Sequence, residues 1–328
     1  MAGLGFVAFA GNRFLLGGAV ILRDSSDTPN AALLSQLTIT WLDRRKQAIY
    51  GRLRAWGSLG WAVTTFVSGR IIAIGGYPLL FILYGVINLA LIPLSGVLPQ
   101  RTANRQEYEA LLPPRSWAFY LLMASLFLFA VGNHAYANFS FIYFRQNLGA
   151  SNELIGIISS VAALSEIPSM VLIDRLLRRT NTRTTLAIGM LGQATLWIGF
   201  SLLTGSTFLI PLMIFRGTFF TFFSVSVTLL VSRISHPANA ATNQGIAQVT
   251  VPGLAVILAG TFNGWLFENA GPITLFRFAA LMAVSGATLL LVARQRIAAQ
   301  DHQMQKLRQE LVDSIPLPAA EKEDMSIA

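Results

Sequence analysis

Long apolar runs alternate with short polar breaks along most of this chain. One run extends from Gly57 to Gly75, turns at Gly75-Gly76-Tyr77-Pro78, and is followed by a return run from Leu79 to about Leu98. Six more follow: Trp117 to about Tyr143, Leu154 to about Ile173, Thr184 to Leu203, Phe208 to Val231, Gly245 to about Phe267, and Ile273 to about Val292. Each is close to the ~20 residues a helix needs to cross the hydrocarbon core of a bilayer. The ~10-residue alternating segments of a transmembrane barrel are missing. Upstream, residues 2–10 are apolar but too short to span, and read as the end of a helix. The segment from Phe14 to about Leu42 has a polar centre, Arg23 to Asn30. It fits either a Pro-bent span facing a cavity or two short apolar pieces around an outside loop. The pattern predicts an all-α polytopic membrane protein of about nine spans.

The polar breaks divide the chain. The longest interior one, 99–116, holds Arg101, Arg105, Glu107, Glu109, Arg115 and the Pro113-Pro114 pair. It is predicted to link two helical bundles, a partial one over 1–98 and a second over 117–295, ahead of a polar tail over 296–328. The tail begins as a surface helix to about Leu311 and is expected to be disordered after Pro316. Basic residues concentrate in alternate breaks: Arg44, Arg45, Lys46 and Arg52; then Arg101, Arg105 and Arg115; then Arg175, Arg178, Arg179 and Arg183; then Arg233; then Arg294 and Arg296. The opposite breaks hold little beyond Arg145 and Arg13. The positive-inside rule therefore places the linker and the C-terminus in the cytoplasm and the N-terminus outside, in a cytoplasmic (inner) membrane.

Composition supports the same class. Of 328 residues 54% are hydrophobic and 12% charged, where soluble domains carry about 25% charged residues. The net charge of +9 does not point to nucleic acid, because the charges sit in short breaks as orientation signals do. The absence of cysteine excludes disulfides, thiol catalysis and cysteine metal sites. His134, His236 and His302 have no ligand spacing. No Gly-Lys-Ser/Thr phosphate loop, catalytic constellation or loop long enough for an extramembrane domain is present. No enzyme activity, cofactor or metal is expected.

Polar residues inside apolar runs are the candidates for function, since the bilayer makes them costly. In helical register Tyr50, Arg54, Ser58 and Trp61 share one face. That face suits either an interfacial anchor, with snorkelling arginines and belt tryptophans, or a solute-facing surface. Glu166 lies seven residues before a basic break. It fits either a proton carrier or a structural carboxylate with a fixed partner. His134 fits a solute contact, a proton shuttle or a satisfied core histidine. Arg216 lies within the run 208–231.

The stretch Tyr50-Gly51-Arg52-Leu53-Arg54-Ala55-Trp56-Gly57-Ser58-Leu59-Gly60-Trp61 resembles the start of the fifth helix in the oligosaccharide–proton symporter group of the major facilitator superfamily, the relatives of lactose permease. It is closer to the MFS-like group that includes phenylpropionate–proton symporters. Phe141 to Phe144 with Leu148-Gly149-Ala150-Ser151 resembles that group's seventh helix and outer loop. Glu166-Ile167-Pro168 with Asp174-Arg175 and Arg178-Arg179 resembles its eighth helix and cytoplasmic loop motif. Ala241 to Gly245 with Gly264 to Gly271 resembles its eleventh helix and following turn. The likeness runs from about residue 14 to 295.

The resemblance implies a twelve-helix major facilitator fold, of which this chain holds about nine helices and lacks about three at its N-terminus. It implies a monomeric secondary transporter whose partners are a small organic solute, protons and the lipid bilayer. The solute would be a sugar, a nucleoside or an aromatic acid. Arg54 falls where the sugar symporters hold their substrate, with Ser58 and Trp61 one and two turns further in; His134 as a further solute contact and Glu166 as the proton-coupling acid rest on their place inside apolar runs. Asp174, Arg175, Arg178 and Arg179 would form a gating loop. Two departures weigh against lactose itself: no His or Glu follows Arg216, and Gln36 stands near the place of the acid that partners Arg54. An inactive truncated remnant and an efflux member of the superfamily are the rival readings.

Overall fold

The computed structural model describes residues 56–64, 67, 71, 79, 82–87, 89 and 115–313. Arg54, the 99–114 part of the linker and the tail beyond 313 lie outside the described residues, as does most of the segment preceding the linker. Residues 56–64 and 82–87 are helical. The rest of the described chain forms α1 (Trp117–Gln146), α2 (Asn152–Arg179), α3 (Thr182–Ser201), α4 (Leu209–Ile234), α5 (Ala240–Gly245), α6 (Val251–Val292) and α7 (Arg294–Asp313). No strand occurs among the described residues.

The helix starts are set locally. Ser116 Oγ accepts from the Phe119 amide, Ser151 Oγ from Leu154, and Asn181 Oδ1 from Thr184 at 2.8 Å. Each satisfies an amide left open at a helix N-terminus.

Among the described residues, four stretches are long and apolar enough to cross a membrane: Trp117–Gln146, Leu154–Arg179, Ser206–Ile234 and Pro237–Val292. The α3 helix is also about 30 Å long at 1.5 Å per residue, but it opens on Thr182-Arg183-Thr184-Thr185 and carries Gln193.

Two breaks in regularity matter. α6 alone would be about 63 Å long, twice a bilayer core. It is divided at Gly271, whose φ of 80° and ψ of 167° fit only glycine, with Pro272 next. The break between the runs ending near Phe267 and starting at Ile273 is therefore a sharp junction between two spans. Between α5 and α6, residues Ile246–Thr250 form a π-helical turn. Pro252 donates no amide and crowds the Gln248 carbonyl, and the wider turn relieves that crowding.

The C-terminal helices build an inside-out particle. Large apolar side chains such as Ile257, 73% exposed, and Phe215 and Leu258 point outward. The core is a mixture of aromatics and small residues: Phe129, Trp197, Phe200 and Phe276 pack with Ala279, Ala283 and Ala287. Spacings of four put the α6 alanines on one stripe, against which α1 packs closely. α6 also packs on α3, α3 on α4, and α4 on α2. Tyr143 Oη donates to the Phe200 carbonyl at 3.1 Å and ties α1 to α3.

The tail helix α7 docks on the ends of α4 and α1. Arg308 donates to the Ser232 carbonyl at 2.6 Å and Gln300 to Ile234 at 3.4 Å. Both serve carbonyls that the end of α4 leaves open. Arg183 pairs with Asp301 at 3.4 Å.

The residues expected as a gating loop are not in a loop. Asp174, Arg175, Arg178 and Arg179 belong to the last turns of α2, which runs to Arg179. Basic charge marks the membrane face but does not break a helix, and Leu176 and Leu177 continue the helical pattern. The chain turns at Thr180 and Asn181 instead. Arg178 and Arg179 suit a helix C-terminus, where cations meet the negative end of the dipole.

Candidate functional site

A single close helix crossing sets up the site. A Cβ at Gly217 of α4 would strike the Ala162 carbonyl and Ser165 Oγ of α2, so only glycine allows this approach. Ser169 Oγ donates to Thr218 Oγ1 at 2.9 Å one turn along the same contact. Glu166 directly follows Ser165, and Arg216 directly precedes Gly217. The crossing thereby delivers an acid from α2 and a base from α4 to the same cavity. Pro168, two residues beyond Glu166, donates no amide and leaves the Leu164 carbonyl without its helical partner.

That cavity, of about 410 Å³, is lined by Gly57, Ser58, Trp61, Glu166, Arg216 and Phe220. Its third wall is the helical segment 56–64. Ser58, 8% exposed, donates from Oγ to Glu166 Oε2 at 2.7 Å. Trp61 is 70% exposed and lines the opening. Of the residues expected on this face, Ser58 and Trp61 meet Glu166; Arg54 lies outside the described residues.

Arg216 is held by aromatics. Its Cζ lies 5.3 Å from the Tyr136 ring centroid and 4.9 Å from that of Phe220. Tyr136 is itself stacked on Trp197 and Phe200. Gln193 donates to the Arg216 carbonyl at 3.2 Å and fixes the backbone there. Arg216 Nε is buried with no acceptor, and no described carboxylate is within ion-pair distance of the guanidinium.

His134 stands apart. It lines a neighbouring cavity of about 420 Å³ together with Asn133, Asn138, Phe223, Thr228 and Gln248. Phe220 belongs to both walls. Asn263 Nδ2 lies 3.2 Å from His134 Nδ1 and also donates to the Val131 carbonyl at 3.4 Å. In a neutral ring this makes Nδ1 the acceptor and leaves the hydrogen on Nε2. Nearby, Gln248 donates to Gln244 at 2.7 Å and Gln244 to the Thr228 carbonyl at 2.6 Å, a chain of amides along one wall. Among the described residues no three His, Cys, Asp or Glu side chains gather.

A family model described as "MFS_1 like family" matches residues 9–278, most of the chain. The chain belongs to the MFS_1-like family. Two curated relatives are similar to it. A probable 3-phenylpropionic acid transporter of Escherichia coli (strain K12) is 24% identical over 254 residues, covering 74% of this chain and 65% of the relative. A maltose permease of Geobacillus stearothermophilus is 24% identical over 262 residues, covering 77% of this chain and 65% of the relative. The chain thus spans about two thirds or slightly less of the length of each. As a major facilitator protein it is a multi-pass, all-α membrane protein.

Within this MFS_1-like chain, sequence reasoning missed Tyr136 and Gln193. Nothing local marks either one. Tyr136 is one of many aromatics, and its role comes from facing α4 across the bundle. Gln193 carried a signal, as a polar side chain inside an apolar run.

Proposed function

We propose that this chain works as a proton-coupled secondary transporter, moving a small organic solute across the cytoplasmic membrane by alternating access. The observation that carries the reading is the Ser58–Glu166 hydrogen bond at the wall of a polar-floored cavity. Residues 108 positions apart meet there, at a depth where the bilayer penalises charge. Transporters place solute sites between their helical bundles near the midplane, and family membership supports that location.

The roles follow from chemistry. Trp61 and Phe220 offer apolar faces to a solute ring. Arg54, Ser58 and Arg216 offer donors, and His134 and the neighbouring amides line an adjoining polar surface. Glu166 takes up and releases the coupling proton, as an acid placed inside an apolar span. Asp174, Arg175, Arg178 and Arg179 gate the cytoplasmic end from the last turns of α2. The protein acts as a monomer with its C-terminus in the cytoplasm, an orientation supported by the basic breaks. The solute is a sugar, a nucleoside or an aromatic acid; the two relatives carry names from the first and last of these classes.

The test is uptake into proteoliposomes holding the full chain, driven by an inward proton gradient and screened with maltose, uridine and 3-phenylpropionate. Uptake of at least one solute above empty liposomes, abolished by a protonophore, is expected. No uptake of any of the three overturns the reading.

A further inference from the structure

Among the described residues, no carboxylate pairs with Arg216. Arg216 lines the cavity beside Glu166, yet its Nε is buried without an acceptor. A guanidinium within a membrane span is normally paired or hydrogen-bonded, because desolvation otherwise disfavours it. Here Tyr136 and Phe220 lie 5.3 and 4.9 Å from its Cζ. Aromatic faces attract the charge but accept none of its in-plane N–H bonds. The aromatic rings therefore hold the guanidinium in place, and its Nε has no acceptor among the described residues.

Building on the transporter reading, we infer that the solute is an organic monocarboxylate whose carboxylate binds Arg216. A guanidinium presents two parallel N–H groups that match the two oxygens of a carboxylate. The single positive charge, with an acid on the same wall, suits a monoanion better than a phosphate dianion. A cavity of about 410 Å³ with Trp61 and Phe220 in its wall has room for a small apolar or aromatic body behind the carboxylate. A sugar would leave the charge of Arg216 uncompensated.

The experiment measures binding of matched pairs to the purified full chain in nanodiscs by calorimetry. The probes are benzoate, phenylacetate and 3-phenylpropionate, each against its neutral primary amide, with maltose as an uncharged reference. At least one acid should bind tenfold or more tightly than its amide. Arg216→Gln should remove that preference, and Arg216→Lys should keep part of it. Amides binding as tightly as the acids, or an acid preference that survives in Arg216→Gln, overturns the inference. If Arg216→Gln does not fold, as judged by size-exclusion chromatography, the acid–amide comparison on the native chain and Arg216→Lys decides. Binding and uptake of maltose without any acid preference removes only this inference. Absence of binding and uptake for every probe removes the transporter reading with it.

Discussion

Ser58 Oγ donates to Glu166 Oε2 at 2.7 Å, joining the helical segment 56–64 to α2. An interhelical hydrogen bond in a membrane contributes about 0.6 kcal/mol on average. A bond of that size selects one arrangement of the two helices without locking it. Under the proposed coupling, protonation of Glu166 would change the acceptor that Ser58 faces, so proton uptake and the contact between chain segments would share the same atoms.

Glu166→Gln keeps an oxygen that accepts from Ser58 but removes the titratable group. Proton-driven accumulation of solute should fall at least about tenfold, the effect of losing a coupling site rather than a fold contact. Solute exchange between two loaded compartments should persist. Native uptake should decline as external pH rises, because less Glu166 is protonated, and the variant should show no such slope. Transport assays over a pH series check this, and an unchanged slope in the variant contradicts the role of Glu166.

Gly217→Ala puts a methyl group into the Ala162 carbonyl and Ser165 Oγ. Overpacking of this kind costs about 1–3 kcal/mol. A lower thermal midpoint in detergent is expected, with larger losses for Gly217→Val. Because the same crossing places Glu166 and Arg216, solute binding should weaken along with stability.

Gly271→Ala forces a side chain into the region at φ 80°. Backbone strain of that type costs about 1–3 kcal/mol. The variant should melt earlier than the native chain, while solute affinity at low temperature stays the same, since the junction lies outside both cavities.

Arg308→Ala removes the 2.6 Å hydrogen bond to the Ser232 carbonyl. Bonds to charged groups contribute about 1.5–3 kcal/mol, so α7 should come away from α4 more often. Limited proteolysis from the cytoplasmic side should cut between 294 and 313 faster in the variant. Equal cleavage rates would mean that the other contacts of α7, through buried Ile297 and Met304 and through Gln300 and Asp301, suffice to hold it.

Much of the fold was legible because the bilayer writes its constraint into long stretches of sequence. The turn at 268–272 could be placed because Gly271 and Pro272 carry local backbone information. The helical continuation through Asp174 to Arg179 was misjudged because basic charge reports which side of the membrane a residue faces, not where a helix stops. Glu166 and Arg216 each stood out as charges in apolar runs. Their meeting in one cavity did not, since it depends on Gly217 touching α2, a tertiary contact with no local signature. The separation of His134 from that cavity was hidden for the same reason. Phe220, which lines both cavities, sits in the run Phe219-Phe220-Thr221-Phe222-Phe223, where nothing local distinguishes it.

Under the proposed function, solute occupies the cavity where segment 56–64, α2 and α4 meet. The chain contains no cysteine, so single-cysteine variants need no background removal. Trp61→Cys, at the cavity opening, and Asn147→Cys, exposed in the polar break after α1, should be alkylated by a small maleimide in nanodiscs with and without a solute that the native chain takes up. Solute should slow labelling of Trp61→Cys several-fold and leave Asn147→Cys unchanged. Equal labelling of Trp61→Cys with and without that solute, at concentrations that saturate uptake, would contradict the claim.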